Sequence, residues 1–212
     1  MSSYSTKAFA FKTSPCGEAD SLVTLFSRGE GKVRVIAKGA RRPRSSFAGR
    51  LMPLSYNDFL LGRGRNLDIV SQCEIVRSFQ KVRSGADCVP VALSFIYLID
   101  SVLTKGAASG DLFDLLWESL TALEEGAPMA FIRSRFALRF LVLEGVGPVL
   151  ERCVKCQRMI PPHVARVLFS VEERGVVCSA CRSQAHDASL LSMDALSLLK
   201  QWSTGSIDAA VD

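Results

Sequence analysis

The chain has 212 residues, enough for one large domain or two small ones, and 48% of them are hydrophobic, which indicates a globular protein with a substantial core. Its net charge is +5, and its longest uncharged run, Cys88 to Ile99, is too short to cross a bilayer. The first residues lack the apolar stretch of a secretory signal, so we expect a cytoplasmic protein that does not enter a membrane.

The charge is unevenly distributed along the chain. Residues 1–80 carry 13 basic and 6 acidic side chains, a net charge of +7, whereas residues 81–212 carry 13 basic and 15 acidic ones, a net charge of −2. This asymmetry indicates that the N-terminal part binds a polyanion and that the remainder is a scaffold or a protein-binding surface. A soluble basic domain without a special partner is the alternative.

The N-terminal part has the pattern of short β-strands separated by glycine turns. Val33 and Val35 alternate with Lys32 and Arg34, which places apolar side chains on one face of a strand and cations on the other. Five such strands favour a small closed barrel of the OB-fold type, because closure removes exposed strand edges. A small open sheet or an SH3-like barrel is the competing architecture. The predicted strands are 8–12, 21–26, 32–37, 54–61 and 67–76.

A loop rich in arginine follows the third predicted strand. Between Arg28 and Arg50 the chain has eight basic residues and one acid, Glu30, and Pro43 with the neighbouring glycines excludes a regular helix. A guanidinium group binds phosphate through two parallel hydrogen bonds and keeps its charge, so this loop is a candidate site for a phosphate backbone. The candidate DNA-binding residues are Lys32, Arg34, Lys38, Arg41, Arg42, Arg44, Phe47, Arg50, Arg63 and Arg65.

Other interpretations of this region stay open. The basic loop can be a solvated charge cluster without a partner, since charge runs are common on protein surfaces. The ring of Phe47 can stack on an unpaired base or pack in the core. The same choice applies to Tyr56 and to Phe59, and for Phe59 we favour core packing.

Beyond Phe79 the chain changes to apolar residues at helical spacing. This spacing predicts helices over 91–102, 112–123 and 129–144, and a further helix near 192–202 that packs back onto them. Glycine and proline at 126–128 and 145–148 end the second and third helices. On the third helix, three residues lie off the apolar stripe and are candidates for binding a partner: Arg133, Arg135 and Arg139.

Two Cys-x-x-Cys pairs stand in the C-terminal part. Cys153 and Cys156 are separated from Cys178 and Cys181 by 21 residues, so two short turns can each aim two sulfurs at one ion, as in a zinc ribbon. This spacing predicts one structural Zn²⁺ with four thiolate ligands, which leaves no position for a catalytic water. Two disulfides, or four unrelated core cysteines, are the alternatives. The other cysteines are expected to be ordinary small apolar residues: Cys16, Cys73 and Cys88.

No arrangement of residues indicates an active site. The chain has two histidines, His163 and His186, and neither stands beside a recognisable nucleophile. We therefore expect a binding protein and not an enzyme. A metalloenzyme is an alternative that requires an open metal position and hence fewer than four cysteine ligands.

Several segments carry a resemblance to a known family. They are residues 17–26 (GEADSLVTLF), 31–45 (GKVRVIAKGARRPRS) and 47–51 (FAGRL), and the similarity continues through 62–67 (GRGRNL) and 72–74 (QCE) to the paired cysteines. In these motifs, and over nearly its whole length, the chain resembles the bacterial recombination mediator family RecO.

The resemblance implies a fold, a role and partners. The fold is α+β, an N-terminal OB-fold β-barrel followed by an α-helical domain that carries a zinc-binding insertion. The role is in recombinational DNA repair: the family binds single- and double-stranded DNA, anneals complementary strands and helps to load the RecA recombinase onto strands coated by single-strand-binding protein. The implied partners are RecR and the acidic C-terminal tail of single-strand-binding protein, which docks on the helical domain. The family also leads us to expect a longer C-terminal part than the residues after Trp202.

The residues and the resemblance together predict four segments. They are an OB-fold DNA-binding domain over 1–80, a helical domain over 81–150, a four-cysteine zinc-ribbon-like insertion over 151–184 and a C-terminal helix over 185–212 that packs on the helical domain. The expected location is the bacterial cytoplasm, with the nucleoid during repair. The alternative from another class is a zinc-ribbon module of the ribosome or transcription machinery that binds RNA with the same basic barrel.

Overall fold

Five N-terminal strands close into a barrel in the structure, a computed structural model that describes residues 2–47, 49–161, 164 and 166–205. Their order around the barrel is β1-β2-β3-β5-β4, so the strand pairing confirms the predicted OB-fold and excludes the open sheet. The strands are β1 (Ser3–Cys16), β2 (Asp20–Ser27), β3 (Gly31–Ala37), β4 (Tyr56–Gly62) and β5 (Asp68–Arg77).

The first strand is longer than predicted because it serves two neighbours. Its first half pairs with β4, from Ser3 opposite Gly62 onward, and its second half pairs with β2 as far as Cys16 opposite Asp20. The register shifts between residues 10 and 12. An irregularity of this kind bends a strand, and the bend lets β1 leave one partner and join the other, which closes the barrel.

Alternate residues of the strands fill the barrel interior. Val23, Val35 and Phe59 are completely buried there, and Leu61 packs beside them. The thiol of Cys73 shares this core, and burial raises its pKa to about 11, as expected for an unreactive apolar residue. The predicted core role of Phe59 is confirmed.

Three helices follow the barrel within the first of two compact units, which ends at Met129. They are α1 (Gln80–Ser84), α2 (Cys88–Val102) and α3 (Gly110–Glu125). The side chain of Ser109 caps α3 by accepting a hydrogen bond from the amide of Leu112, and Gly126 ends the helix with a left-handed φ of 92°. The predicted helices at 91–102 and 112–123 are confirmed, whereas the sequence patterns did not identify α1.

Helix α3 covers one part of the outer barrel surface with aromatic rings. The ring of Phe113 lies 5.3 Å from that of Phe9 and 5.7 Å from that of Phe26, and Trp117 lies 5.0 Å from Tyr56. Such edge and tilted contacts add specific attraction to the burial of apolar area. This part of the barrel surface is therefore covered by α3, and the ring of Tyr56 is used in packing.

The second unit, Ala130–Asp212, combines two helices with a small sheet. Its elements are α4 (Met129–Leu143), β6 (Arg166–Ser170), β7 (Gly175–Val177), the 3₁₀ helix Ser179–Gln184, β8 (Ser189–Ser192) and α5 (Met193–Thr204), with the sheet order β7-β6-β8. Helix α5 packs on α4, where the rings of Phe131 and Trp202 are 4.8 Å apart. The two helices were predicted, but the sheet was not.

The predicted boundaries of the four segments stay a prediction, and residues 206–212 of the last segment lie outside the described residues. None of the helices in the described part of the chain combines the length and the apolar character that a membrane span requires.

Candidate nucleic-acid interface and metal site

The basic loop, residues 38–55, joins β3 to β4 and is fastened to the barrel at both ends. The guanidinium of Arg41 donates to the carbonyls of Gly17 at 3.1 Å and Glu18 at 3.3 Å, and that of Arg50 donates to the carbonyl of Cys73 at 2.8 Å. These two arginines remain on the surface, but part of their hydrogen-bonding capacity holds the loop in place. The loop is therefore a defined surface.

The other cations of this region are exposed and point to solvent. The charged groups of Arg34, Lys38, Arg42 and Arg44 bond to no residue in the described part of the chain. The electrostatic attraction of a cation for an anionic ligand is strongest when no neighbouring acidic group offsets it. These four residues are the most accessible members of the predicted DNA-binding set.

The turn between β4 and β5 brings two more predicted residues to the same side. Val35 of β3 pairs with Asp68 at the start of β5, so the turn that carries Arg63 and Arg65 lies next to β3. The guanidinium of Arg63 lies 4.5 Å above the ring of Tyr4, a cation–π contact that orients the side chain and leaves its charge intact. Arg65 is exposed.

Strand pairing adds a cation that the sequence patterns missed. Lys12 of β1 is opposite Thr24 of β2, and Thr24 is opposite Arg34 of β3, so the three side chains form one row across the outer face of the sheet. Lys12 and Arg34 are both exposed. Lys12 stood in a predicted strand, but only the register of the sheet places it beside Arg34.

A second row of paired residues on the barrel has the other polarity. There Lys7 of β1 pairs with Asp58 of β4, which pairs with Glu74 of β5, so one cation stands in a row with two acids. A polyanion is attracted to the side formed by Lys12, Arg34 and the basic loop and is disfavoured at this one. The barrel thus has a charge asymmetry of its own, in addition to the one between residues 1–80 and 81–212.

Lys32, a member of the predicted DNA-binding set, makes a structural contact with helix α2. Its ammonium forms a 2.6 Å ion pair with Asp100 and donates to the carbonyl of Asp100 at 2.9 Å and that of Leu103 at 3.4 Å. These groups lie at the C-terminal end of α2, where a cation satisfies carbonyls that the helix leaves unpaired. Lys32 therefore fastens β3 to α2, and its charge is paired within the protein.

We expect the Lys32→Met variant to unfold more easily and to bind DNA with an unchanged salt dependence. Losing hydrogen bonds and an ion pair to a charged group costs about 1.5–3 kcal/mol of unfolding free energy. Urea unfolding and DNA titrations at several salt concentrations measure the two properties. A lower salt slope with unchanged stability would return Lys32 to the DNA site.

Of the two roles considered for Phe47, base stacking and core packing, the structure shows packing. It is half-buried and packs against the barrel core, together with Tyr4, Val33 and Ala40. A ring held in this way closes the end of the barrel under the loop. The packed ring is therefore not free to stack on a base.

Of the three arginines of α4, one is exposed and two donate hydrogen bonds to backbone carbonyls. Arg133 is exposed, whereas Arg135 is only 2% exposed and donates to the carbonyl of Gly205 at 2.7 Å. Arg139 donates to the carbonyl of Ser203. These carbonyls lie at the C-terminal end of α5, where cations are stabilising. Arg135 and Arg139 therefore fix α5 to α4, and Arg133 alone of the three is exposed.

The four cysteines of the second unit converge. Their sulfur atoms all lie within 4.8 Å of one another, and the sulfurs of Cys156 and Cys178 are 3.6 Å apart. An ideal tetrahedral zinc site with four thiolates has sulfur separations of about 3.8 Å, whereas a disulfide requires about 2.05 Å. All four cysteines are unpaired. The geometry fits a four-coordinate metal ion and excludes both disulfides and four unrelated core positions.

Local backbone structure aims the sulfurs at a common point. After Cys153 the chain turns sharply, with the amide of Gln157 donating to the Cys153 carbonyl at 2.9 Å, and Gln157 has a left-handed φ of 61°. At the second pair, the amide of Cys181 donates to the carbonyl of Cys178 at 3.0 Å at the start of the 3₁₀ helix. The two turns supply two ligands each, as predicted from the spacing.

The site favours ionisation of one of its thiols. Burial of the Cys153 sulfur opposes ionisation, but hydrogen bonds from the backbone of Cys156, Cys178 and Lys155 outweigh it and lower the pKa of Cys153 to about 6. A metal binds the thiolate form, so amides directed at this sulfur prepare it as a ligand. The donor set of four sulfurs suits zinc and leaves no coordination position open.

The cysteine cluster contains no histidine from the described part of the chain. His186 is exposed, and His163 lies outside the described residues. Among the residues that the structure describes, the cluster that could hold a metal ion consists of cysteines alone.

Comparison with known proteins matches both halves of the chain. The family model described as "Recombination protein O N terminal" matches residues 1–79, and the one described as "Recombination protein O C terminal" matches residues 90–211. Similar proteins named DNA repair protein RecO include that of Rubrobacter xylanophilus, which is 37% identical over 186 residues that cover 87% of this chain and 74% of the relative. That of Pelotomaculum thermopropionicum is 34% identical over 200 residues, 94% of this chain and 77% of the relative.

Proposed function

The chain belongs to the RecO family, and on this premise we propose that it is a DNA-binding protein of recombinational DNA repair and not an enzyme. In this proposal it binds and anneals single-stranded DNA and assists the loading of RecA onto strands coated by single-strand-binding protein. The observation that carries the proposal is the cationic side of the barrel, where Lys12, Arg34 and the exposed cations of the basic loop lie together.

The proposed mechanism of DNA binding is neutralisation of phosphate charge. Lysine and arginine side chains displace the counterions of the DNA backbone, and this release supplies affinity without reading the sequence. The anchored loop, held by Arg41 and Arg50, keeps its free cations in one place. Because the rings of Phe47 and Tyr56 are packed against the protein, base stacking on them contributes little.

Annealing follows from the same electrostatics. Two complementary strands repel each other through their phosphates, and a surface that carries several cations lowers this repulsion when both strands are bound nearby. The acidic row of Asp58 and Glu74 repels phosphate and so directs the strands toward the row that contains Lys12 and Arg34. Bases that are not stacked on protein rings stay available for pairing with the second strand.

We propose that zinc in the second unit has a structural role. When bound, the ion joins the turns that contain Cys153, Cys156, Cys178 and Cys181 and so supports the small sheet between them. With four cysteine ligands the site differs from that of a metalloenzyme, which needs an open position. RecR and the acidic tail of single-strand-binding protein remain the proposed protein partners, with Arg133 as the exposed candidate on α4.

A strand-annealing assay tests the function directly. Two complementary labelled oligonucleotides are mixed with and without the protein, on bare strands and on strands coated by single-strand-binding protein. We expect faster annealing in both cases. Annealing no faster than without protein in both conditions would contradict the proposal.

The alternative of an RNA-binding module makes a different prediction. A surface that binds by phosphate neutralisation treats single strands of DNA and RNA alike, whereas an RNA-specific module uses contacts to the 2′-hydroxyl. We therefore expect DNA and RNA of equal length to compete within a few-fold of each other. Strong preference for RNA would favour the ribosomal or transcriptional alternative.

The Lys12→Ala variant tests the row of side chains across the sheet. We expect it to lower the slope of log affinity against log salt by about 0.7 on single strands, the value for one neutralised phosphate. Lys7→Ala is the matched control, since Lys7 is an exposed lysine of the same strand beside Asp58. Equal slopes for the two variants would remove Lys12 from the interface.

A further inference from the structure

The four clustered cysteines of the second unit differ in their access to solvent. Cys156 is exposed, as are the three residues that follow it, and Cys178 is half-buried. Cys153 and Cys181 are buried. Oxidation of a cysteine depends on its thiolate character and on its accessibility, so a small oxidant in solution reaches Cys156 first.

Cys156 and Cys178 also lie close enough to react with each other. Their sulfur atoms are 3.6 Å apart, and a disulfide requires about 2.05 Å, so an approach of about 1.5 Å joins them. Backbone contacts hold the two turns side by side, because the amide of Val154 donates to the carbonyl of Val176 at 2.9 Å. Each of these valines precedes one of the two cysteines by two residues. The pair therefore stays adjacent through contacts that do not involve a metal.

Metal coordination keeps these sulfurs nucleophilic. A cysteine that binds zinc is in the thiolate form, and the thiolate is the species that an oxidant attacks. An exposed thiolate beside a second cysteine is the arrangement found in redox-sensing proteins. By contrast, Cys73 is buried in the barrel core, where its pKa is raised to about 11, so it is protected from oxidation.

We propose that Cys156 is an oxidation site, at which hydrogen peroxide forms a reversible disulfide between Cys156 and Cys178 and thereby releases the metal from the second unit. A disulfide in a protein of the cytoplasm is usually transient and redox-sensing, which fits this role. The proposal goes beyond the proposed function and uses from it only the structural zinc.

The oxidation takes place in two steps. The Cys156 thiolate attacks one oxygen of hydrogen peroxide, the O–O bond breaks, hydroxide leaves, and the sulfur becomes a sulfenic acid. The Cys178 thiolate then attacks the Cys156 sulfur, the S–O bond breaks, and a second hydroxide leaves. The two sulfurs together lose two electrons to the peroxide, and two protons from solvent convert the hydroxides to water. Only Cys153 and Cys181 remain as ligands, and two thiolates do not complete a four-coordinate site.

The test uses the full chain, purified in reduced form with zinc and then treated with an excess of hydrogen peroxide. A coloured chelator measures the release of zinc, and mass spectrometry after alkylation and trypsin digestion locates the disulfide. Trypsin cleaves after Arg152, Lys155 and Arg158, so Cys153 and Cys156 fall on separate peptides and the linked one is identified by its mass.

We expect peroxide to release zinc and to link the Cys156 peptide to the peptide 175–182, with the link at Cys178 as located by fragmentation. Dithiothreitol and added zinc should restore the starting state. Retention of zinc under peroxide, or a disulfide that leaves Cys156 as a free thiol, would overturn the proposal. If the reduced protein contains no zinc, the structural role of the metal is wrong, and the presence or absence of the Cys156 to Cys178 link alone decides on the oxidation site.

Histidine substitutions separate loss of the exposed sulfur from loss of a ligand. Structural zinc sites with three cysteines and one histidine are common, so Cys156→His and Cys153→His each replace one ligand by another. We expect zinc release by peroxide to be about 10-fold slower in Cys156→His than in the parent protein, because the exposed thiolate is gone. Cys153→His, which changes a buried ligand, is the matched control and should release zinc at the parent rate.

Equal release rates for the two histidine variants would show that Cys156 is not the residue that peroxide attacks. Zinc content and thermal unfolding verify that each variant is folded, and the location of the disulfide in the parent protein decides independently if a variant does not bind zinc. The strand-annealing and salt-slope experiments use reduced protein, so their outcome does not depend on this test.

Discussion

Changing Lys38, Arg42 and Arg44 together to alanine is expected to lower the affinity for single-stranded DNA about 100-fold at 0.1 M salt. Each neutralised phosphate contributes about 0.7 to the slope of log affinity against log salt, so three lost contacts reduce the slope by about 2. All three side chains are exposed on the basic loop and bond to no described residue. DNA titrations at salt concentrations from about 0.05 to about 0.5 M give both the affinity and the salt slope.

The choice of residues follows from the contacts of the loop. Arg41 and Arg50 donate to backbone carbonyls and hold the loop on the barrel, so changing them would combine a lost charge with a displaced loop. Leaving them in place keeps the loop position constant. The triple variant then reports charge alone.

A charge-matched control is available on other surfaces of the first unit. Lys7, Lys81 and Lys105 are also exposed, and changing them to alanine removes the same total charge. If a general positive field attracts DNA, both triple variants lose similar affinity. If the loop is the site, only the variant at Lys38, Arg42 and Arg44 loses affinity. An unchanged salt slope for that variant would show that the loop is not part of the DNA site.

Replacing Cys178 by serine is expected to abolish stoichiometric zinc binding and to unfold the small sheet of the second unit. Structural zinc contributes about 10–16 kcal/mol of apparent binding free energy in small zinc domains, and this energy is available only to the folded form. Removal of one of four ligands loses several kcal/mol of it. The four sulfurs within 4.8 Å of one another are the observation on which the expectation rests.

Metal analysis and thermal unfolding measure this effect. Cys88→Ser is the control, because Cys88 is a half-buried thiol of α2 outside the cluster, and its loss should leave zinc content at one ion per chain. DNA affinity of the Cys178→Ser protein should change little, since the cationic side belongs to the barrel. Full zinc content in the Cys178→Ser protein, or none in the reduced parent protein, would show that the four cysteines are not the ligands.

Local patterns predicted most of the regular structure. Alternation in segments such as 32–37 and glycine turns between them predicted β2 to β5 to within two residues at each end, because a strand with one buried face requires that alternation. The helical spacing of 112–123 and the glycine at 126 predicted α3 for a similar reason. The cysteine spacing predicted four converging sulfurs, which the structure confirms.

Other features depend on partners distant in sequence. Lys32 and Arg34 look alike in the sequence, yet one is ion-paired with Asp100 and the other is exposed in a row with Lys12. Arg135 is as polar as Arg133, but it is buried within the unit and donates a hydrogen bond to the carbonyl of Gly205. A periodic pattern does not contain this information, because it states which face a side chain is on and not what covers that face.

Periodicity and ligand spacing in the sequence alone thus determined strands β2 to β5, helices α2 to α5 and the convergence of the four cysteines, since these depend on local geometry and on residue chemistry. The family resemblance rested on the sequence motifs themselves. Only the tertiary structure decided which cations are exposed and which are paired within the protein. The physical reason is that accessibility and electrostatic pairing are set by contacts between residues far apart in the chain, such as Lys32 with Asp100 and Arg139 with Ser203.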